Sequence, residues 1–282
     1  MTPGTARSTR HDRTAKSGTI GACFLGVGGA SQQDLGHASL VIELSGDDGG
    51  RQTLLIDCGP GVLRRFRDRY GRAPDAVFVS HCHLDHIADL EALFFHTLLS
   101  AGTHRPRLFV PVELVTTLHQ RLAMYPGALA EGGVNFWDAF QLIPFSGRFL
   151  FGGLEFRSYP ARHHAPGSAF SLHLPGQFFF SGDTRPVPEV LAHALVGNEL
   201  IFHDASLAGN PSHSGLDDLE REYRREWLDR LHVYHYHDRH EAEAIRRRGI
   251  RVVEPGQRFE FVQLPMPRAQ ACDFSHSCAV GG

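Results

Sequence analysis

Six consecutive residues constrain this chain more than any others: His81-Cys82-His83-Leu84-Asp85-His86, entered directly from the apolar run Ala76-Val77-Phe78-Val79-Ser80. A short continuous apolar run of this kind reads as a buried strand. Spacings of two along extended backbone turn side chains the same way, so His81 and His83 can share one metal ion. Asp85 and His86, beyond the bend, can reach a second. Imidazole nitrogen and carboxylate oxygen are what Zn²⁺ takes in catalytic sites, where one position stays open for water. The competing reading is a solvated loop that happens to be rich in histidine. Four ligand-type side chains in this order, at a strand end, stand against it.

Composition agrees with a metal-handling chain. Among 282 residues there are 19 histidines, and histidine is the commonest metal ligand and the usual acid or base near neutral pH. Lys and Arg total 28 against 31 Asp and Glu, a net charge of −3, which argues against a protein held on nucleic acid by bulk positive charge. The five cysteines (Cys23, Cys58, Cys82, Cys272, Cys278) are odd in number and widely spread. That is no disulfide framework, so a reducing, cytoplasmic setting is expected. Residues 1–18 carry Arg7, Arg10, Arg13 and Lys16 with no apolar segment behind them; they read as a disordered basic tail rather than a secretory signal. No apolar run approaches the roughly 18 residues of a membrane helix. Residues 263–282, ending in Gly281-Gly282, show no period and read as a flexible tail, leaving 19–262 as a single domain.

Along that domain the pattern runs strand, glycine-rich turn (Gly26, Gly28, Gly29), two strands at 39–44 and 53–57 around a turn at 46–50, and a helix over 62–70. After the strand at 76–80 come a helix near 88–100, a strand at 108–110 and a helix over 112–123. Strands are expected at 140–145, 149–151, 154–159, 168–174 and 177–181, the last two joined by the turn Pro175-Gly176. Helices over 187–196, 215–230 and 239–247 alternate with strands at 199–203 and 231–236. The helix at 215 carries a capping-box pattern, Ser214-x-x-Asp217. The glycines of 26–29 are expected to let backbone pass close to the metal loop. Two successive halves, each of strands then helices, predict two sheets packed face to face with helices outside: an α+β fold in four αββα layers.

His81-x-His83-x-Asp85-His86 resembles the hallmark of the metallo-β-lactamase superfamily, and the likeness extends in order from about residue 20 to 250. Phe24-Leu25-Gly26-Val27-Gly28-Gly29 and Leu54-Leu55-Ile56-Asp57-Cys58-Gly59 are similar to the opening of its ribonuclease Z-like branch. His164, in His163-His164-Ala165-Pro166-Gly167, resembles the next conserved histidine of that branch. Asp183 in Ser181-Gly182-Asp183-Thr184 resembles its metal-bridging aspartate, and His235 in Tyr234-His235-Tyr236-His237 its last histidine. The resemblance implies two divalent ions, Zn²⁺ ahead of Mn²⁺ or Fe²⁺. One would be held by His81, His83 and His164, the other by Asp85, His86 and His235, with Asp183 bridging. His163 can stand in for His164, and His237 for His235. Asp57 would orient a ligand histidine, whereas Cys82 occupies a position that does not ligate.

Two further segments resemble that branch with one substitution each. His203-Asp204-Ala205-Ser206 matches its His-Glu-Ala-Thr signature with Asp for Glu, and His213-Ser214-Gly215 its His-Ser-Thr signature with Gly for Thr. The resemblance makes His213 the group that stabilises or protonates the leaving oxygen, with Asp204 as its orienter and His203 structural. Two ions sharing an activated water at Asp85, His86 and their partners need no protein nucleophile. Asp85, His213 and Asp204 are thus the catalytic candidates. The tRNA-processing members of the branch carry a long arm between the third-motif histidine and the bridging aspartate, where this chain has only the 18 residues 165–182. A small or cyclic phosphodiester or a nucleotide end is the expected substrate, not tRNA, and relatives of the branch are often homodimers. Alternatives on the same scaffold are a lactone, thioester or amide hydrolase, and a non-hydrolytic metal-binding partner in a biosynthetic or modification system.

Overall fold

The computed structural model describes residues 19–32, 34–45, 50–99, 104–124 and 134–262. The expected tails at 1–18 and 263–282, with Cys272, Cys278 and the terminal Gly-Gly, lie outside the described residues, as does most of the turn at 46–50. The first half contains β1 (Thr19–Gly26), β2 (Ser39–Ser45), β3 (Arg51–Ile56), α1 (Val62–Tyr70) and β4 (Ala76–Phe78). It continues with α2 (Leu84–Ile87), α3 (Asp89–Leu99), β5 (Arg107–Pro111), α4 (Val115–Leu118) and β6 (Gln141–Phe145). The second half holds β7 (Arg148–Phe151), β8 (Leu154–Pro160), β9 (Phe170–Leu174), β10 (Phe178–Phe180), α5 (Pro188–Ala194) and β11 (Leu200–Asp204). It closes with α6 (Leu216–Glu222), α7 (Arg225–Leu228), β12 (Leu231–Tyr234), α8 (Arg239–Arg247), β13 (Arg251–Val252) and β14 (Arg258–Val262).

These strands form two seven-stranded sheets, ordered β14-β1-β2-β3-β4-β5-β6 and β13-β12-β11-β10-β9-β8-β7. Both are mixed, antiparallel at one end and parallel at the other: β3 to β6 run parallel, as do β10 to β13. β1 is buried along all but its first residue, which explains its unbroken apolar run, since both faces are covered. The sheets meet through aromatic rings. Phe24 of β1 packs on Phe180, Phe202 and Tyr234, and Phe149 of β7 stacks on Phe78 and Phe109. Rings of this size dominate core energetics through the area they bury. The four-layer αββα sandwich is therefore the observed fold.

Several local expectations change. The helix expected over 215–230 is two, because Tyr223 turns extended (φ −100°, ψ 144°). Its hydroxyl accepts from Val187 N–H and lies 2.6 Å from His203 Nε2, and those buried contacts outweigh helix continuity. The cap sits one residue later than expected: Gly215 N–H donates to Asp218, not to Asp217. The segment 112–123 is a 3₁₀ turn, one α-turn and a π-turn in succession. β13 and β14 had no counterpart in the sequence pattern. Among the described residues no helix is long and apolar enough to cross a membrane.

Candidate metal centre

The parallel portions of the two sheets end on a common cleft, the usual ligand position in mixed α/β sheets. Asp57 follows β3 directly, His81 lies three residues beyond β4, and Asp183 three beyond β10. Asp204 ends β11 and His235 follows β12. The two non-glycine residues with left-handed backbone among those described are Asp57 (φ 60°) and His235 (φ 71°). Such conformations cost energy and cluster at functional sites; here each redirects the chain at a strand end, so that the His235 ring enters the cleft and the Asp57 carboxylate sits behind it on Ser80 and His86. Two glycines make room. A Cβ on Gly59 would meet the Asp85 carbonyl oxygen at 1.6 Å, and one on Gly29 would lie 2.7 Å from the His235 ring. The expectation for the glycines of 26–29 is thus revised: Gly26 lies against the His37 carbonyl, Gly28 against Gln32 and Gly29 against the His235 ring, and it is Gly59 that lies against the metal loop.

Two overlapping clusters result. His81, His83, His163 and Asp183 have ligand-type atoms within 4.8 Å of one another, and so do Asp85, His86, Asp183 and His235. Asp183 Oδ2 is common to both, at 3.6 Å from His81 Nε2, 3.2 Å from His86 Nε2, 3.3 Å from His235 Nε2 and 4.0 Å from His163 Nε2. The structure places His163, not the expected His164, in the first cluster. His163 is buried, its Nδ1 held 3.0 Å from the Ser212 carbonyl and its Nε2 3.2 Å from His83 Nδ1. His164 is exposed and meets the other ring nitrogen of His83, Nε2, at 3.1 Å. His235 lies in the second cluster; His237 stays at the cleft rim, its backbone N–H held by Glu241. Cys82 is buried, with its thiol pushed up to about 12 by burial, and it lies outside both clusters.

The donor chemistry fits cations. Burial, together with the neighbouring histidines, pushes His81 well down and His83 to about 4, so both rings are neutral, the form that ligates. Burial alone would raise the Asp183 carboxyl, but His235, His86 and His81 hold it well below the ordinary carboxylate range. Burial likewise lowers His86 and His235, yet Asp183 with Asp57, and Asp183 with Asp204, pull them far above the ordinary imidazole value. Positive charge is wanted at this spot, whether as protons or as metal. Among the buried side-chain atoms without a hydrogen-bond partner are Nε2 of His81, His86 and His235 and Oδ1 of Asp183. Buried polar atoms are almost always satisfied, and four converging orphans are what bound ions would satisfy. The cleft, about 480 Å³, is lined by no lysine or arginine among the described residues.

Behind the clusters, Asp57 accepts from His86 Nδ1 at 2.7 Å, from the Ser80 hydroxyl at 2.6 Å and from Ser80 N–H at 2.8 Å. Asp204 is buried between two histidines: Oδ2 accepts from His213 Nδ1 at 2.8 Å and from Thr184 N–H, while Oδ1 lies 3.3 Å from His235 Nδ1. The His213 and His235 rings stack, centroids 4.7 Å apart. His203 points away, its Nδ1 donating to the Asp204 carbonyl. The loop bearing His213 is clamped by Arg185, whose guanidinium donates to the carbonyls of Asn210 and His213 and to Asp218. Ser80, Thr184 and Arg185 went unnoticed in the sequence. Ser80 and Thr184 abut recognised motifs, and that adjacency was the available signal; nothing marked Arg185.

This fold and its paired His/Asp clusters define a metallo-β-lactamase-fold protein. Solved relatives agree at the level of fold. The metallo-β-lactamase fold protein YhfI of Bacillus subtilis superposes with a TM-score of 0.67 at 15% identity, covering 86% of this chain and 100% of that one. The short form of human tRNase Z gives 0.58 at 16% identity, covering 85% and 98%. Within that class the chain belongs to the family described as Anti-Pycsar protein Apyc1, whose family model matches residues 20–259. The protein of that name from Paenibacillus harenae is 29% identical over 251 residues, spanning 84% of this chain and 98% of its own.

Proposed function

We propose that this chain is a two-ion hydrolase that opens a small cyclic phosphodiester, a cyclic mononucleotide, to its linear monoester. The observation that carries the reading is the position of His213: its ring, fixed by Asp204, lines the same cleft as two clusters that share Asp183. Membership in the Anti-Pycsar family supports a cyclic nucleotide as substrate. The cleft volume suits a mononucleotide, since small-molecule sites run from about 300 to 1,000 Å³. The segment between His164 and Asp183 folds into the β9–β10 hairpin, with no arm to embrace a tRNA.

His81, His83, His163 and Asp183 would hold one ion and Asp85, His86, His235 and Asp183 the other. Zn²⁺ is the assigned metal, because imidazole with carboxylate is its common catalytic set. Bound there, the ions would supply Lewis-acid stabilisation of phosphoryl charge and an activated water. Asp57 holds His86 with Nδ1 protonated, which leaves Nε2 to face the cleft. Asp204 likewise takes the Nδ1 proton of His213, which aims Nε2 at the substrate. Carrying a second proton there, taken up from solvent, the His213 imidazolium gives its Nε2 proton to the leaving sugar oxygen as the P–O bond breaks and is left neutral. Among the described residues the cleft has no lysine or arginine, so recognition of the phosphate there would fall to the ions and to His213.

Metal analysis followed by assay tests this reading. The expected result is two ions per chain and turnover of 3′,5′-cyclic nucleotides and bis-p-nitrophenyl phosphate. Metal-replete protein that cleaves lactones or thioesters while leaving every phosphodiester intact overturns it.

A further inference from the structure

We infer that Ser80 is a positioning residue that locks His81 in its metal-ready tautomer and ties both candidate ion sites to a single buried carboxylate. The inference rests on the two-ion reading above. Ser80 is 1% exposed and follows β4 immediately before His81. Its hydroxyl lies 2.6 Å from Asp57 Oδ2 and 3.1 Å from His81 Nδ1. A hydroxyl carries one proton and two acceptor lone pairs. Asp57 accepts from Ser80 N–H at Oδ1 and from His86 Nδ1 at Oδ2 and takes the Ser80 hydroxyl proton at the same Oδ2, so Ser80 Oγ, its one proton spent, must accept from His81. That places the His81 proton on Nδ1 and leaves Nε2, the unpartnered atom 3.6 Å from Asp183, free to bind a cation.

Asp57 Oδ2 also accepts from His86 Nδ1 at 2.7 Å. One carboxylate oxygen therefore orients a histidine in each cluster, His86 directly and His81 through Ser80. The route to the first cluster runs through a single hydroxyl, and the route to the second does not. Removing that hydroxyl should weaken one ion and spare the other, because Ser80 N–H still holds Asp57 Oδ1 at 2.8 Å and His86 keeps its acceptor. The groups that hydrogen-bond the outer nitrogen of metal-bound histidines typically control affinity by about 10–100-fold.

The test is Zn²⁺ competition against a chromophoric chelator for the full-length protein, Ser80→Ala and Ser80→Thr. Long-range ¹H–¹⁵N spectra of the histidine rings in the zinc-loaded proteins run alongside. In Ser80→Ala the affinity of one ion should fall about 10–100-fold while the other stays within about twofold, with the exchange-protected His81 Nδ1 proton lost. Ser80→Thr, which keeps the hydroxyl, should restore both. Two ions bound by Ser80→Ala at wild-type affinity overturn the role given to Ser80, as does an equal loss of both ions. Wild-type protein that binds no zinc overturns the two-ion reading itself, which keeps the two failures apart. Thermal melts of the metal-free proteins separate a folding defect from a metal effect, and a Ser80→Thr protein that folds normally but still loses one ion also overturns the proposal.

Discussion

The two halves of the molecule build the same centre in opposite ways. The first delivers His81, His83, Asp85 and His86 from one turn of chain after β4, with His83 extended and Asp85 and His86 on the helical turn α2. The second delivers His163, Asp183, Asp204, His213 and His235 one at a time, each from a different strand end or loop. A contiguous donor set is written locally, by spacing alone. A dispersed set exists only once the sheet is assembled, and its members are held by second partners: Ser212 for His163, Asp204 for His213 and His235. The dispersed half should therefore show the larger and more varied responses to mutation.

The largest expected effect is at the one residue common to both clusters. Asp183→Ala should cut metal content from two ions to fewer than one, read by elemental analysis after gel filtration, with turnover lost. Retention of both ions would break the shared-carboxylate picture. His213→Ala comes next: metal content unchanged and kcat down by roughly 10²–10⁴-fold, the usual scale for one acid–base group. Loss of metal there would move His213 from chemistry to ligation. Comparing His163→Ala with His164→Ala sharpens the contrast further. The first should cost one ion, and the second should leave two bound with affinity lowered by no more than about 10–100-fold.

A smaller effect is expected from the loop clamp. Arg185→Met removes donors to the Asn210 and His213 carbonyls and to Asp218. It should lower kcat about tenfold, roughly the worth of one charge-assisted hydrogen bond, without changing metal content. The smallest concerns stability alone. Glu199 is buried and accepts from the backbone N–H groups of Gly176, Val196 and Gly197, with His173 3.5 Å away. Burial opposes its charge, but His173 and those N–H groups hold it well below the ordinary carboxylate range. A depressed folded-state value gives stability that is present above the unfolded pKa, about 4.3, and lost as pH falls below it. Glu199→Gln should lower Tm at pH 7, and the gap to wild type should close in acid; a gap constant from pH 7 to pH 3 would contradict this.

Much of this was legible beforehand. Apolar runs and turn residues marked most strands, and the four-layer arrangement followed from their order. The metal loop needed only its own six residues. The sequence points to His164 with His163 in reserve, because adjacent residues in irregular backbone have no period to say which faces inward and only the likeness of the His164-Ala165-Pro166-Gly167 segment speaks. The choice is made by the Ser212 carbonyl, 49 positions away. Tyr223 broke a helix that propensity favoured, for contacts with Val187 and His203 that no local pattern displays. Arg185 was invisible for the same reason: its three partners are brought together by the loop it holds.

The turn after β1 carries one more consequence. Gly28 pairs with both His37 and Tyr236, and the His235 N–H donates to the Val27 carbonyl, so the last histidine of the centre is docked by residues near the start of the described chain. Contacts between such distant positions form slowly, because the intervening loop must close before they repay its entropy. Completion of the second candidate ion site should therefore come late in folding, and neither half of the chain made alone should hold an ion there. Uptake of the second ion during refolding would serve as a clock for the joining of the two ends.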